Sequence, residues 1–143
     1  MCVLKKLQKG IITKSSKETI KLAFQLADVL PKDYCLALYG KIGVGKTTFV
    51  AGIAKNWSIK EIIKSPSFTV YNIYQGVRQL IHLDAYRLNG KTQADFLMLE
   101  EFLISPYCLI IEWPNNIISY LPKKTLHIVI EIINKNLRRI KLK

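Results

Sequence analysis

Arginine and acidic residues are scarce in this chain. Four arginines and 10 acidic residues stand against 18 lysines among 143 residues, which leaves a formal net charge of +12. Protein surfaces that bind phosphate favour arginine, because its planar guanidinium forms paired hydrogen bonds with the phosphate oxygens. Together with 20 isoleucines, the excess of lysine indicates compositional drift more than a nucleic-acid partner. A solvated basic surface is the simpler interpretation, and an RNA or acidic protein partner stays open.

The sequence also lacks the patterns of membrane, secreted and zinc-binding proteins. Its most apolar stretch, residues 128–133, is far short of the ~20 residues of a membrane span and carries Glu131. No apolar leader precedes the first lysines. The three cysteines are far apart and form no C-x-x-C pair. We therefore expect free thiols in a cytoplasmic protein that does not contact membranes.

The chain is predicted to form a single domain that contains several helices. No repeat, linker or low-complexity block divides the chain, so residues 1–143 are predicted to form a single domain. Ser15–Glu18 is a capping box that opens a helix ending at Pro31. A second helix is expected to reach about Trp57, and a third is expected over 92–103.

Strand patterns alternate with these helices. Continuous apolar runs at 35–39 and 108–111 predict strands that are buried on both faces. Segments 68–74 and 77–83 are expected to form a hairpin through Gln75-Gly76, and a second pair of strands follows around a turn at 134–136. The predicted fold is therefore α/β, a three-layer sandwich with a mixed β-sheet flanked by helices.

The strongest pattern is an eight-residue segment that fits G-x-x-x-x-G-K-[ST] without a gap, Gly40-Lys41-Ile42-Gly43-Val44-Gly45-Lys46-Thr47. A glycine-rich loop can turn its backbone N–H groups inward around an anion, and the following helix adds its positive N-terminal dipole. Lys46 supplies a mobile cation for the β- and γ-phosphates, and Thr47 supplies a hydroxyl for Mg²⁺. The segment predicts a nucleotide-binding loop, and with it a three-layer sandwich like that of P-loop NTPases.

Two carboxylates follow apolar strands, where such a loop needs one to hold Mg²⁺. Glu112 follows the run 109–111, which is too apolar to carry a charge except at an exposed end, and Asp84 follows the run 80–83. Spacing does not decide between them. We favour Glu112 as the metal ligand and Asp84 as the residue that orients or activates water. Either residue could instead cap a helix or pair with a basic side chain.

The class of nucleotide is indicated by exclusion. Asn134-Lys135-Asn136-Leu137 begins the guanine-binding pattern N-K-x-D but lacks its aspartate, so ATP is favoured over GTP. A small-molecule kinase would need several arginines in a lid over the transferred phosphate, and the chain has four in all. ATP hydrolysis is therefore favoured over kinase activity.

Taken together, four segments in order resemble the TsaE family (also called YjeE): the loop from Leu38 to Phe49, Ser65–Thr69, His82–Arg87 and Ile111–Pro114. The loop alone is generic, whereas S-P-x-F-T, H-x-D-x-Y-R and E-W-P in this order are specific. The resemblance implies an ATPase of tRNA threonylcarbamoyladenosine synthesis that binds ATP or ADP with Mg²⁺. It also implies hydrolysis in complex with a TsaD–TsaB pair, which modifies adenosine 37 of ANN-decoding tRNAs and is reset between turnovers. Contact with tRNA would be indirect, through that pair.

The resemblance also implies roles for individual residues. Thr47 and Glu112 correspond to magnesium positions, Lys46, Asp84 and Glu112 to catalytic positions, and 65–69 to a switch-like segment. Nucleotide contacts are implied at Ser16, Gly43, Val44, Gly45, Lys46, Thr47, Thr48, Trp113 and Arg138. The chain departs from the family at Lys41, Val44 and Ser67, where aspartate, alanine and threonine are usual. None of these changes removes an essential group.

Three other interpretations stay open. The chain could bind nucleotide without hydrolysing it and serve as a structural adaptor, or it could phosphorylate a small molecule. Its basic tail, with Lys135, Arg138, Arg139, Lys141 and Lys143, could bind RNA directly. The alternation of that tail also fits an edge strand protected by lysines.

Overall fold

A computed structural model describes residues 2–67, 69–88 and 99–143. Three α-helices are α1 (Val3–Lys9), α2 (Ser16–Ala27) and α3 (Lys46–Asn56). The strands are β1 (Ile11–Thr13), β2 (Tyr34–Tyr39), β3 (Tyr71–Tyr74), β4 (Gln79–Asp84), β5 (Tyr107–Glu112), β6 (Thr125–Ile132) and β7 (Arg138–Leu142). Two 3-10 helices cover Leu99–Phe102 and Pro114–Tyr120.

The strands form one mixed sheet in the order β1-β7-β6-β2-β5-β4-β3. The central strand β2 is parallel to both neighbours, β5 and β6, and β4 is parallel to β5. Antiparallel pairing adds β3 at one edge and β7 and β1 at the other. The carboxyl ends of β2, β4 and β5 therefore meet at one edge of the sheet, where ligands of open α/β sheets bind.

Both faces of the sheet are buried against other elements. Leu36, Leu38, Leu80 and Ile110 pack with the three α-helices in one core cluster. The second cluster lies on the opposite face and includes residues of both 3-10 helices, Leu99 and Ile117 among them. The predicted three-layer α/β arrangement is confirmed.

Helices α2 and α3 lie unusually close together. A Cβ atom built on Gly52 of α3 would lie 2.4 Å from the carbonyl oxygen of Ile20 and 2.7 Å from the Cβ of Ala23, both on α2. The start of α2 follows the predicted capping box, because the Ser15 hydroxyl accepts the backbone N–H of Glu18 at 3.1 Å. The Glu18 carboxylate accepts the backbone N–H of Lys14 at 2.7 Å, which closes the first turn.

Several local features differ from the predictions, among them the end of α2, which lies at Ala27 and not at Pro31. Helix α1 was not predicted, because its burial rests on only two apolar positions, Val3 and Leu7. The hairpin forms, but its connection is wider than a two-residue turn: Val77 donates its N–H to the Trp57 carbonyl oxygen at 2.7 Å instead of closing the hairpin. Of the helix expected over 92–103, residues 99–102 are a 3-10 helix and residues 92–98 lie outside the described residues, as does residue 68 of the hairpin.

No helix in the described part of the chain is both long enough and apolar enough to cross a membrane.

Candidate nucleotide-binding site

The predicted phosphate loop joins β2 to α3, and its glycines determine its shape. Gly43 and Gly45 have φ angles of +81° and +109°, a region that side chains rarely adopt. Gly40 is required by close approach, since a Cβ there would lie 2.6 Å from Cγ2 of Val44 and 2.8 Å from the carbonyl oxygen of Ile130. Helix α3 then begins at Lys46, so its N-terminus faces the loop.

Two clefts open on either side of this loop and share Gly43, Gly45 and Thr48. We call them the α2-side cleft and the β5-side cleft. The α2-side cleft, of about 320 Å³, is lined also by Lys14, Ser15, Ser16, Thr19, Val44, Lys135, Asn136 and Arg138. The β5-side cleft, of about 330 Å³, is lined also by Ile42, Lys46, Thr47, Ser65, Ser67, Asp84, Glu112 and Trp113.

Lys46 lies in the β5-side cleft, where burial and neighbouring charges shift its pKa in opposite directions. Its Nζ donates to the carbonyl oxygen of Gly40 at 2.5 Å and lies 3.8 Å from Oε1 of Glu112. The side chain is only 6% exposed. Burial lowers the pKa of Lys46, and the charges of Glu112 and then Asp84 oppose that shift. Lys46 is therefore a partly desolvated cation at the β5 end of the loop. Its charge interacts strongly with groups a few ångströms away, because little water screens it.

Glu112 is buried, contrary to the expectation of an exposed strand end. It is 4% exposed, and two basic side chains approach it from different sides. Oε1 faces Lys46, and Oε2 lies 2.8 Å from Nε2 of His82. The His82 ring is too far off axis for an aligned hydrogen bond. The positive charge of Lys46 near Oε1 offsets part of the cost of burying this carboxylate.

His82 was not selected from the sequence as a site residue. It is completely buried on β4, two residues before Asp84 and therefore on the same face of the strand. The H-x-D spacing carried this signal, but the contact with Glu112 depends on how β4 pairs with β5.

Asp84 and Thr47 complete a set of oxygen atoms around this cleft. The register of β4 and β5 places Asp84 directly opposite Glu112. One Asp84 oxygen, Oδ1, accepts the backbone N–H of Tyr86 at 2.9 Å, so the residue also organises the turn after β4. Magnesium in phosphate sites uses one or two carboxylates together with phosphate and water. The hydroxyl of Thr47 and the carboxylate of Glu112, lining one cleft, fit that ion.

Trp113 follows Glu112 in a left-handed conformation, with φ 56° and ψ 50°. Nζ of Lys46 lies 4.3 Å from its ring centroid, and the ring of Tyr86 meets it edge-on with centroids 5.1 Å apart. A backbone strained at a bulky residue is found where the surroundings hold it in place. Trp113 therefore packs at the strand end and also forms a wall of the cleft.

The α2-side cleft brings Ser16 and Arg138 together from distant parts of the chain. Arg138 donates from Nε to the carbonyl oxygen of Val44 at 2.9 Å, and from Nη1 to three carbonyl oxygens of residues 134–137. It therefore ties the turn between β6 and β7 to the phosphate loop. Lys14 and Asn136 also line this cleft. Sequence reasoning missed them, because they become neighbours only through the sheet order.

Ser65 and Ser67 line the β5-side cleft opposite Glu112, with their hydroxyls 2.7 Å apart. The structure thus gathers every predicted site residue around the loop. Ser16, Val44 and Arg138 lie on the α2 side, and Lys46, Thr47, Asp84, Glu112 and Trp113 lie on the β5 side.

Comparison with known proteins identifies related sequences. A family profile described as "Threonylcarbamoyl adenosine biosynthesis protein TsaE" matches residues 13–140. Two proteins named "tRNA threonylcarbamoyladenosine biosynthesis protein TsaE" are similar over nearly their whole length. The one from Aquifex aeolicus is 33% identical over 95% of this chain and 96% of its own, and the one from Treponema pallidum is 30% identical over 90% and 96%.

A solved structure extends the comparison to the fold. The crystal structure of Bacillus subtilis YdiB superimposes with a TM-score of 0.78 and 31% identity, covering 93% of this chain and 82% of that one. The family match spans all four segments that carried the resemblance, the phosphate loop among them. The chain therefore belongs to the TsaE family.

Proposed function

We propose that this protein is the Mg²⁺-dependent ATPase that supports threonylcarbamoyladenosine synthesis in tRNA, working with a TsaD–TsaB pair. The observation that carries the ATPase proposal is the composition of the β5-side cleft. Its lining combines Lys46, Thr47, Asp84 and Glu112 next to a phosphate loop. The role in tRNA modification is supported by family membership and by the names of the relatives.

The two clefts divide the binding of ATP between them. They meet at Gly43, Gly45 and Thr48, so a nucleotide can lay its phosphates over the loop with its nucleoside on the α2 side. Ser16 and Arg138 would flank that nucleoside end. The terminal phosphate would then lie on the β5 side, where Lys46 can exchange its bond to Gly40 for phosphate oxygens.

Five residues of the β5-side cleft take part in the proposed hydrolysis. Thr47 and Glu112 would hold Mg²⁺, which when bound neutralises charge on the phosphates. Lys46 stabilises negative charge on the transferred group, and Asp84 orients the attacking water or accepts its proton. Trp113 limits the access of bulk solvent to Lys46, which strengthens the electrostatic effect of that cation.

Dependence on a partner is supported by the surface around the β5-side cleft. Ile42, in the loop itself, is 82% exposed, and Tyr86, which packs on Trp113, is 59% exposed. Apolar side chains exposed at the mouth of a site offer a partner apolar surface to bury. Covering this mouth would exclude water from the cleft, and we therefore expect the TsaD–TsaB pair to raise the rate of hydrolysis.

Phosphate release from Mg²⁺-ATP, measured for the protein alone and with purified TsaD–TsaB, tests the proposal. We expect slow release alone, a marked rise with the pair, and loss of that rise in Glu112→Gln. Glu131→Gln is the matched control, because Glu131 pairs with Lys141 and Arg139 on β7, away from both clefts. It should behave as wild type.

Other outcomes would favour the alternatives. Nucleotide binding without hydrolysis under either condition would favour a structural adaptor. Transfer of the terminal phosphate to an added small molecule, with little free phosphate released, would favour a kinase.

A further inference from the structure

His82 is a buried polar residue to which the proposed chemistry assigns no part. It is 0% exposed, and its neighbours across the sheet are Ile110 on β5 and Asn72 on β3. The Asn72 amide is engaged elsewhere, since it accepts from the Thr69 hydroxyl and donates to the Lys64 carbonyl oxygen. Within the described ranges, neither ring nitrogen of His82 has an aligned hydrogen-bond partner. The carboxylate of Glu112 lies within reach of the ring.

The two carboxylate oxygens of Glu112 face different side chains. Oε2 lies 2.8 Å from Nε2 of His82, whereas Oε1 faces Lys46 at 3.8 Å. The distance between Nε2 and Oε2 is that of a hydrogen bond, and only the alignment of the two groups falls short. Bonds at catalytic centres often tighten only when the ligand is bound.

We propose that His82 is a positioning residue for Glu112: its Nε2–H holds Oε2 and leaves Oε1 for Mg²⁺ in the β5-side cleft. This inference rests on the proposed function, because it has a consequence only if Glu112 serves the metal. Carboxylates that bind metals are commonly held by such outer partners, and losing the partner costs about 10–100-fold in metal affinity. A histidine that served only to fill space would have no such effect on the metal.

The test measures Mg²⁺ affinity through nucleotide binding. Binding of a fluorescent ADP analogue is titrated with Mg²⁺ and repeated in EDTA for wild type, His82→Leu and His82→Gln. We expect His82→Leu to raise the Mg²⁺ concentration for half-saturation about 10–100-fold, with binding in EDTA unchanged. Gln can place an amide N–H near the position of Nε2, so His82→Gln should keep most of the magnesium response.

A double mutant separates positioning from packing. In a Glu112→Gln background, His82→Leu should add little, because the two residues act through the same oxygen atoms. The inference is overturned if His82→Leu raises the Mg²⁺ requirement equally in both backgrounds, or leaves it unchanged in the wild-type background. If His82→Leu does not fold, His82→Gln is compared with His82→Asn, whose amide reaches only the Nδ1 position. Equal magnesium responses of these two variants would also overturn it.

Failure of the proposed metal site would give a different result in the same titration. Wild-type protein that binds the analogue equally well in Mg²⁺ and in EDTA would contradict the proposed metal site itself. A normal wild-type magnesium response with an unaffected His82→Leu would contradict only the role of His82.

Discussion

Replacing Gly52 with alanine should push α2 and α3 apart. The new Cβ would lie 2.4 Å from the Ile20 carbonyl oxygen and 2.7 Å from the Cβ of Ala23, so the helices must separate by about 1 Å to restore ordinary contact. Overpacking of this kind costs about 1–3 kcal/mol. Alanine's better helix propensity offsets at most ~1 kcal/mol of that cost. We expect a net loss of about 1–2 kcal/mol in the free energy of unfolding, and a Tm lower by about 3–8 °C.

The same movement should affect the α2-side cleft. Ser16 and Thr19 line that cleft from α2, and Gly45 and Thr48 line it from the start of α3. Separating the helices therefore changes its width. We expect nucleotide affinity to fall about tenfold, which corresponds to ~1.4 kcal/mol, as measured by titration of a fluorescent nucleotide.

Ala51→Gly provides the matched control for Gly52→Ala. It lowers helix propensity at the preceding residue by up to ~1 kcal/mol without adding an atom between the helices. It should lower the Tm but leave nucleotide affinity unchanged. The reasoning is refuted if Gly52→Ala is as stable as wild type in thermal melts, or if both variants bind nucleotide with the same affinity.

Three further predictions concern other parts of the molecule. Arg138→Leu removes the donor to the Val44 carbonyl oxygen and should weaken ADP binding about tenfold; unchanged affinity in calorimetry would exclude a role in holding the loop. Ser15→Ala removes the cap of α2 and should cost about 1 kcal/mol in urea unfolding, whereas a loss below ~0.3 kcal/mol would mean that Glu18 and solvent cap the helix without it. Burial raises the pKa of Cys35 from 9.0 to about 12, so the unfolded thiol loses its proton first. Stability should therefore fall above about pH 9 by ~1.4 kcal/mol per pH unit for this thiol, and Cys35→Ala should reduce that slope in urea melts at pH 8–10.

The phosphate loop was predictable because its chemistry lies in consecutive residues. Gly43, Gly45, Lys46 and Thr47 need only their own spacing to form an anion-binding turn at a helix start. The acids were predictable in part. Apolar runs marked Asp84 and Glu112 as strand ends, but the burial of Glu112 depends on its neighbours across the sheet.

The α2-side cleft could not be derived from spacing alone. Ser16 and Arg138 are far apart in the chain, and they meet only because β7 lies between β1 and β6 at one end of the sheet. Local patterns predict strands but not the order in which they pair. The resemblance to the TsaE family supplied these two residues. Lys14 and Asn136, which no motif marks as nucleotide contacts in this family, were placed at the cleft only by the structure.

The position of β2 in the sheet has a consequence for the newly made protein on the ribosome. The phosphate loop follows a strand whose two partners, β5 and β6, are translated much later, and the loop carbonyl at Val44 is bound by Arg138 near the end of the described chain. Such long-range pairing forms slowly, because distant segments must meet first. The loop thus emerges early but acquires its surroundings only when β7 has been translated. Nucleotide should therefore stabilise the protein only late in synthesis, when it can bind residues from the first and last segments of the chain together. Chains interrupted before residue 138 should not gain this stabilisation.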